Sequence, residues 1–202
     1  DVMDTWNISS LTPQINVENV REKEGKNNAL SVPFSLRPQA HDIIRTWAFD
    51  TIVKTAYATN DIAWNDIVIS GHVTQGSGKL SKSSGGGKLT PEALLQQHAV
   101  DSIRYWTGKG SPGVDTAFSE EQMKIGGRLQ TKLWNAFRFV SEHLHEKPER
   151  PDSQPDSINQ WLLARCEQVR FAYARSFDIA EYARSLETID AFFWHDFCDN
   201  YL

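Results

Sequence analysis

Two stretches decide the fold that the sequence predicts: LSVPFSLRPQAHDIIRTWAFDTIV, residues 30–53, and WNDIVIS, residues 64–70. Residues 30–36 alternate between apolar and polar positions as in a strand, and we expect Pro38 to end that strand. From Asp42 onward apolar residues recur at helical spacing, and residues 64–70 indicate a second, buried strand. This order predicts a βαβ unit, and therefore a parallel sheet with ligand chemistry at the carboxyl ends of its strands.

The remainder of the chain is predicted to be mainly helical. Thr90 precedes Pro91, which is typical of an N-cap followed by proline at the first helical position. We expect the amphipathic stretch that begins there to run on towards Trp106, until the glycines of residues 108–113 break it.

After Ser119 the strand signals stop, and three helical patterns follow, at roughly residues 120–145, 157–176 and 178–202. The proline-containing segment 146–156 predicts a loop between the first two. Apolar residues near helical spacing are expected to form the core of a helical bundle: Trp134, Phe137, Phe139, Val140, Trp161, Leu162, Val169, Phe171, Tyr182, Leu186, Ile189, Phe192 and Phe193.

Composition excludes several classes of protein. The chain has 202 residues, 40% of them hydrophobic, which is enough for a sizeable core. Its formal net charge of -5 argues against bulk, non-specific binding of nucleic acid, which relies on a basic surface. Cys166 and Cys198 are too few for a disulfide framework or a zinc ribbon, so we expect a reducing, cytoplasmic environment. No apolar run approaches the roughly 20 residues that cross a bilayer, and we expect no membrane partner.

A glycine-rich run, GSGKLSKSSGGGK, covers residues 76–88 and is predicted to be neither helix nor strand. Five of the chain's 12 glycines lie in it, so its backbone can approach an anion closely. Lys79 and Lys82 are flexible donors that suit phosphate oxygens. On the residues alone, two interpretations stay open: a phosphate-binding loop and an inert surface linker.

Three segments carry a family resemblance: DVMDTW at residues 1–6 with SSLTP at 9–13, LRPQAHDIIRTW at 36–47, and KLSKS at 79–83. The first is similar to the DVLDTW-type block of valyl-tRNA synthetases, and the second resembles their GHDIIxxW block. The third resembles the KMSKS signature of class I aminoacyl-tRNA synthetases, with Leu80 in the methionine position. The resemblance covers essentially the whole chain.

This resemblance implies an α/β plus α fold. Residues 1–117 would be the second half of a Rossmann-type parallel-sheet catalytic domain, and residues 118–202 the start of a helical anticodon-binding domain. The resemblance also implies an internal fragment without the HIGH motif, the first catalytic half and the editing domain of the family. We therefore expect these residues alone not to activate an amino acid.

The activity that the resemblance implies is the joining of L-valine to ATP, followed by transfer of the valyl group to tRNA(Val). ATP with Mg²⁺ would be a substrate, no tightly bound cofactor or resident metal is expected, and the rest of the same polypeptide would be a partner. Two alternatives stay open. One is an isoleucine or leucine ligase of the same class, and the other is a non-catalytic nucleotide- or RNA-binding paralogue.

By the same resemblance, the glycine-rich run binds the phosphates of ATP through Lys79, Ser81, Lys82 and Ser83. The carboxylate of valine attacks the α-phosphorus, and the two lysines, the expected catalytic residues, neutralise charge on the leaving pyrophosphate. The serines would support the turn or donate to phosphate oxygens. Ser84 and the glycines after it depart from the sequence that is common in the family.

The adenylate would be held by Gln39, Ala40, His41 and Asp42, between a strand and a helix N-terminus. Ala40 replaces the glycine that is usual in the family. Other interpretations stay open for two of them: Asp42 as a helix cap, and His41 as a solvated loop residue.

The amino-acid pocket would be formed by Trp6, Ile43 and Trp47. Ile43 and Trp47 are four residues apart and so share one helix face, and two indoles can wall a cavity of the size of an isopropyl group. Core packing is the alternative for all three, and Asp4 would cap or orient this corner.

Overall fold

The computed structural model describes residues 4–25, 30–76, 78–79, 90–144 and 156–202. Contacts divide the chain into two compact units: residues 1–72 with 112–114, and residues 73–111 with 115–202. Each unit has its own buried apolar cluster. The domain boundary expected after residue 117 stays a prediction.

The first unit begins with two helices that the sequence pattern did not predict, α1 (Thr5–Ser9) and α2 (Thr12–Glu24). Asp4 caps α1, because its Oδ2 accepts a hydrogen bond of 3.0 Å from the backbone N–H of Asn7. Pro13 lies in the first turn of α2, where its missing N–H costs nothing. The expected capping role of Asp4 is thus observed.

The centre of this unit is a βαβ arrangement. Strand β1 (Phe34–Ala40) leads into a 3-10 turn (His41–Ile43), a π-helical turn (Ile44–Ala48), helix α3 (Phe49–Thr59) and strand β2 (Trp64–Ser70). The two strands are parallel, with a register that runs from Phe34 opposite Trp64 to Ala40 opposite Ser70. The parallel pair that the sequence predicted is confirmed.

The predicted bounds of the first strand were wrong. It begins at Phe34 rather than Leu30, and Pro38 does not end it, since pairing continues through Pro38 opposite Val68 to Ala40. Proline removes one N–H donor from the ladder. The residues on either side of Pro38 stay paired with β2 and keep the backbone extended. A prediction that ends a strand at any proline cannot take this pairing with a neighbouring strand into account.

The apolar cluster of the first unit joins the helical segment to the strands. Trp47 and Ala48 from the π-helical turn, with Ala63 and Trp64 at the start of β2, are buried, and Phe34 and Ile43 pack against them. The rings of Trp47 and Trp64 stack with centroids 5.4 Å apart and an interplanar angle of 9°. This packing fixes the segment that follows β1 against the sheet.

The second unit contains a small three-stranded sheet. Strand β3 (Val73–Gln75) pairs antiparallel with β4 (Gly78–Lys79) and parallel with β5 (Thr116–Ala117). The expectation that the glycine-rich run contains no strand is therefore wrong for Gly78 and Lys79. Glycine permits the tight turn before them, since Gly76 has a φ of 61°.

The described residues of the second unit also form five helices: α4 (Pro91–Gln97), α5 (Val100–Gly108), α6 (Glu120–His143), α7 (Ser157–Asp178) and α8 (Tyr182–Ala191), which continues as a π-helical turn (Phe192–Asp199). The three C-terminal helical patterns are confirmed. Thr90 caps α4 as predicted, but the stretch towards Trp106 is broken between α4 and α5, where His98 is extended. None of the helices in the described ranges is long and apolar enough to cross a membrane.

The expected bundle core is only partly buried. Phe193 is buried, whereas Trp134 and Phe137 on α6 are 62% and 65% exposed. Other members of that set are exposed as well: Phe139, Val140, Trp161, Phe171 and Ile189. Helical spacing identifies a common face, but burial also requires a partner for that face.

Candidate functional site

The candidate adenylate-binding residues lie where the two parallel strands end. Gln39 and Ala40 are the last residues of β1, and His41 and Asp42 open the 3-10 turn that follows. Ala40 is opposite Ser70, the last residue of β2. The structure therefore brings this segment to the edge of the sheet at which ligands bind in parallel α/β folds.

His41 is held by contacts to the segment that ends β2. Its Nδ1 lies 3.2 Å from the carbonyl oxygen of Ser70, and its ring makes edge-to-face contact with that of His72. Since a carbonyl can only accept, Nδ1 carries the proton and Nε2 is the acceptor in the neutral ring. His41 is exposed yet oriented, so the solvated-loop interpretation does not describe it fully.

Gln39 has a buried polar atom that no described residue hydrogen-bonds. The residue is 7% exposed, its Nε2 donates a long hydrogen bond of 3.4 Å to the carbonyl of Ala40, and its Oε1 has no partner in the described chain. An unsatisfied buried acceptor costs free energy. Such a cost is typical of a group that a ligand satisfies.

Asp42 lies in the first turn of the 3-10 segment, and the N-cap position of that turn belongs to Ala40. The N-cap interpretation of Asp42 therefore does not hold for this turn. Asp42 is exposed and is the acidic residue of the first turn of this segment.

The candidate amino-acid pocket is brought together in part. Ile43 packs against the cluster that contains Trp47, which is 6% exposed. The indole Nε1 of Trp47 donates a 3.0 Å hydrogen bond to the carbonyl of Ser9 at the end of α1. Trp6, on the same helix, is exposed and lies outside this cluster. Ile43 and Trp47 thus have the core packing that was the alternative interpretation, and the pocket stays a prediction.

Sequence reasoning missed Arg37 and Thr46. The guanidinium carbon of Arg37 lies 3.7 Å from the centroid of the Trp47 ring, and its Nε is buried with no hydrogen-bond partner among the described residues. Burial lowers the pKa of Arg37 below its usual value. The Oγ1 of Thr46 is also buried without a partner in the described chain. The sequence did contain a signal for Arg37: it lies two residues before Gln39, which places both side chains on the same face of a strand.

The phosphate-binding residues are for the most part outside the described residues. The backbone of Lys79 pairs with Thr74 in the second unit, and Ser81, Lys82 and Ser83 lie outside the described ranges. Their roles stay predictions. Within the described ranges, no group of three or more histidine, cysteine or acidic residues could hold a metal ion, and the expectation of no resident metal stays a prediction as well.

Comparison with known proteins places the chain in a family. Residues 1–119 match the family described as tRNA synthetases class I (I, L, M and V). The chain belongs to this class I tRNA synthetase family. The family that the three sequence segments indicated is thereby confirmed.

Curated members of the class I family resemble the chain over its full length. The chain is 44% identical over 205 residues to a valine–tRNA ligase of Ehrlichia ruminantium (strain Gardel). The alignment covers 100% of the chain and 24% of that relative. Valine–tRNA ligases of Wolbachia sp. subsp. Brugia malayi (strain TRS) and Rickettsia felis are both 40% identical, over 100% of the chain and 24% and 25% of their own lengths. The chain thus spans about a quarter of the length of these relatives.

A solved class I synthetase shares the fold. The apo crystal structure of Mycobacterium tuberculosis methionyl-tRNA synthetase matches with a TM-score of 0.63 at 21% identity, over 93% of the chain and 37% of that protein. This likeness supports the mixed α/β and helical architecture. The anticodon-binding assignment of residues 118–202 stays a prediction.

Proposed function

We propose that the chain is part of a valine–tRNA ligase, which activates L-valine with ATP and transfers the valyl group to tRNA(Val). The observation that carries the proposal is the convergence of residues 39–42 and 70–72 at the carboxyl ends of two parallel strands, with His41 Nδ1 3.2 Å from the Ser70 carbonyl. Relatives called valine–tRNA ligases, similar over the whole chain, support the choice of amino acid.

The adenylate binds along Gln39, Ala40, His41 and Asp42 in this proposal. Backbone N–H groups of the 3-10 turn and the Asp42 carboxylate suit the ribose hydroxyls. The unpartnered Oε1 of Gln39 accepts a hydrogen bond from the ligand, and the Nε2 of His41 offers a further acceptor at the same edge.

The isopropyl group of valine contacts Ile43, Trp47 and Trp6. Trp47 is fixed by Trp64 and by the carbonyl of Ser9, so it can form a rigid wall. Trp6 is exposed in the described chain, and an exposed indole on α1 is available to close the pocket from a second side.

Activation proceeds when the carboxylate oxygen of valine attacks the α-phosphorus of ATP, which enters as its Mg²⁺ complex. The bond from the α-phosphorus to the bridging oxygen breaks, and pyrophosphate leaves. Lys79 and Lys82 stabilise the charge that grows on this leaving group, while Ser81 and Ser83 donate to phosphate oxygens. The protein contributes position and charge and forms no covalent intermediate.

The remaining assignments follow from the same proposal. Residues 118–202 begin the helical anticodon-binding domain and contact tRNA(Val), the rest of the polypeptide supplies the other half of the adenylate site, and the protein acts in the cytoplasm. Residues 1–202 alone therefore show no activation of an amino acid.

The test is amino-acid-dependent ATP–pyrophosphate exchange by the full-length protein, with valine, isoleucine and leucine compared. We expect exchange to be fastest with valine, and Lys82→Ala to reduce it about 100-fold or more, as for other groups that stabilise transition-state charge. Lys23→Ala, at the exposed end of α2, is the matched control and should leave exchange unchanged.

Each other outcome contradicts a defined part of the proposal. Exchange led by isoleucine or leucine would retain the class and overturn the choice of valine. No exchange with any of the three would contradict the ligase assignment and favour a paralogue that only binds nucleotide or RNA. Exchange by the 202-residue chain alone would contradict the division of the site between this chain and the rest of the polypeptide.

A further inference from the structure

Trp47 is held from three elements of the first unit. The Arg37 guanidinium from β1 lies 3.7 Å from its ring centroid, the Trp64 ring from β2 stacks on it at 5.4 Å, and the Ser9 carbonyl of α1 accepts a 3.0 Å hydrogen bond from its Nε1. Two of these contacts are explained by packing of the core. The third contact is different, because it places the cationic side chain of Arg37 on the Trp47 ring.

No carboxylate in the described part of the chain accounts for the position of Arg37. Within the described residues it forms no ion pair, its Nε is buried without a partner, and burial lowers its pKa, although the guanidinium stays charged at neutral pH. A partly buried cation without an acidic partner has a cost in desolvation. The face of the Trp47 ring is the partner that offsets this cost, because the quadrupole of an indole attracts a cation.

We propose that Arg37 is a positioning residue that fixes the Trp47 indole and thereby sets how strictly the amino-acid pocket discriminates by size. This inference rests on the proposed function. The guanidinium on the ring, together with the Ser9 hydrogen bond, restricts rotation of the indole about its side-chain torsions. A pocket wall rejects a substrate one methylene larger only if the wall does not move to accommodate it.

The test compares valine and isoleucine in ATP–pyrophosphate exchange by the full-length protein. Arg37→Met keeps the aliphatic length and removes the charge, whereas Arg37→Lys keeps a cation within reach of the ring. Arg21→Met is the matched control, since Arg21 pairs with Glu18 across 3.8 Å on an exposed face of α2.

For Arg37→Met we expect the ratio of kcat/KM for valine to that for isoleucine to fall about 3- to 30-fold, the range that a cation–π contact corresponds to. The KM for isoleucine should carry most of the change, because a mobile wall admits the extra methylene, and kcat should change little. Arg37→Lys should recover most of the ratio, and Arg21→Met should match the wild type.

An unchanged ratio in Arg37→Met would overturn the inference while leaving the proposed function intact. Equal losses for valine and isoleucine, not recovered by lysine, would show a purely structural role and overturn it too. Wild-type protein without valine exchange would contradict the proposed function itself, and with it this inference. If Arg37→Met does not fold, Arg37→Gln, which also removes the charge, gives the same comparison.

Discussion

The imidazole rings of His41 and His72 are in edge-to-face contact, with centroids 4.1 Å apart and an interplanar angle of 63°. Each histidine lies just beyond the end of its strand, so this contact ties the segment after β1 to the segment after β2. The bond between His41 Nδ1 and the Ser70 carbonyl reinforces that connection. The edge of the sheet proposed to hold the adenylate is therefore ordered by its own side chains.

Removing the imidazole of His41 should weaken ATP binding. We predict that His41→Ala raises the KM for ATP of the full-length protein about 2- to 10-fold, because one hydrogen bond contributes about 0.5–1.5 kcal/mol net. His41→Asn keeps a donor near the position of Nδ1 for the Ser70 carbonyl but has no acceptor at the position of Nε2, so it should raise the KM for ATP to a similar extent. Wild-type KM in the alanine variant would show that the ordered histidine does not serve the nucleotide.

Truncating Trp64 should destabilise the first unit. Trp64 is buried and stacks on Trp47, so we predict that Trp64→Ala lowers its free energy of unfolding by about 3–5 kcal/mol. Tyr57→Ala is the aromatic control, because Tyr57 is 90% exposed and its loss should change stability by less than about 0.5 kcal/mol. Calorimetry of the full-length variants measures both. Equal shifts would mean that the stacked pair is not a core element.

Two adjacent glycines of α6 should respond differently to alanine. A Cβ at Gly126 would lie 2.7 Å from the Cβ of Tyr105 on α5, whereas one at Gly127 would meet the Ser102 hydroxyl at 3.3 Å. Both substitutions gain up to about 1 kcal/mol of helix propensity. We predict that Gly126→Ala nevertheless destabilises the second unit by about 1–3 kcal/mol through overpacking, while Gly127→Ala is close to neutral. The measurement is the thermal midpoint of each variant relative to the wild type. A higher midpoint in Gly126→Ala would contradict the close approach of α5 and α6.

Tyr105 should make stability depend on alkaline pH. Its hydroxyl donates a 2.8 Å hydrogen bond to Asp190, and burial, followed by this bond, raises the Tyr105 pKa above its usual value of 10.0. The folded state then holds the proton more tightly than the unfolded state. This contribution is fully present below about pH 10 and is lost above it, by up to about 1.4 kcal/mol per pH unit.

This prediction is tested by comparing the wild type with Tyr105→Phe, whose thermal midpoints are measured from pH 8 to pH 11. The wild type should lose its advantage over the variant as the pH rises above about 10. Contributions from the rest of the protein are common to the wild type and the variant and cancel in the difference. A difference that stays constant across this range would contradict the raised pKa.

Much of the first unit could be predicted from the sequence because its signals are local. The apolar run of residues 64–70 and the helical spacing after Asp42 predicted the βαβ unit. In the second unit, Thr90 likewise predicted the start of α4. Helices α1 and α2 were missed, because a five-residue helix has little periodicity and α2 has few apolar positions. Pro38 misled the prediction, since strand pairing is a tertiary effect.

In the candidate site, too, some features could be predicted from the sequence and others required the structure. The motif wording placed Gln39, His41 and Trp47 near one another in sequence, and the structure gathers them at the end of β1 and the turns after it. The cation on Trp47 could not be found in this way, because it depends on which face of a strand meets which face of a turn. Distances across elements, such as Trp47 to Ser9, likewise require the fold.

Gln39→Leu should separate binding from stability. The Oε1 of Gln39 is buried without a partner in the described chain, which costs free energy in the free protein. Leucine has a similar volume and no polar atoms, so we predict an unchanged or higher thermal midpoint. If the adenylate satisfies that oxygen, the same variant should raise the KM for ATP about 3- to 10-fold, the effect of one lost hydrogen bond. Gln130→Leu, on α6, is the control for ATP binding. A lower midpoint with unchanged KM would mean that Gln39 supports the fold and that the ligand does not reach it.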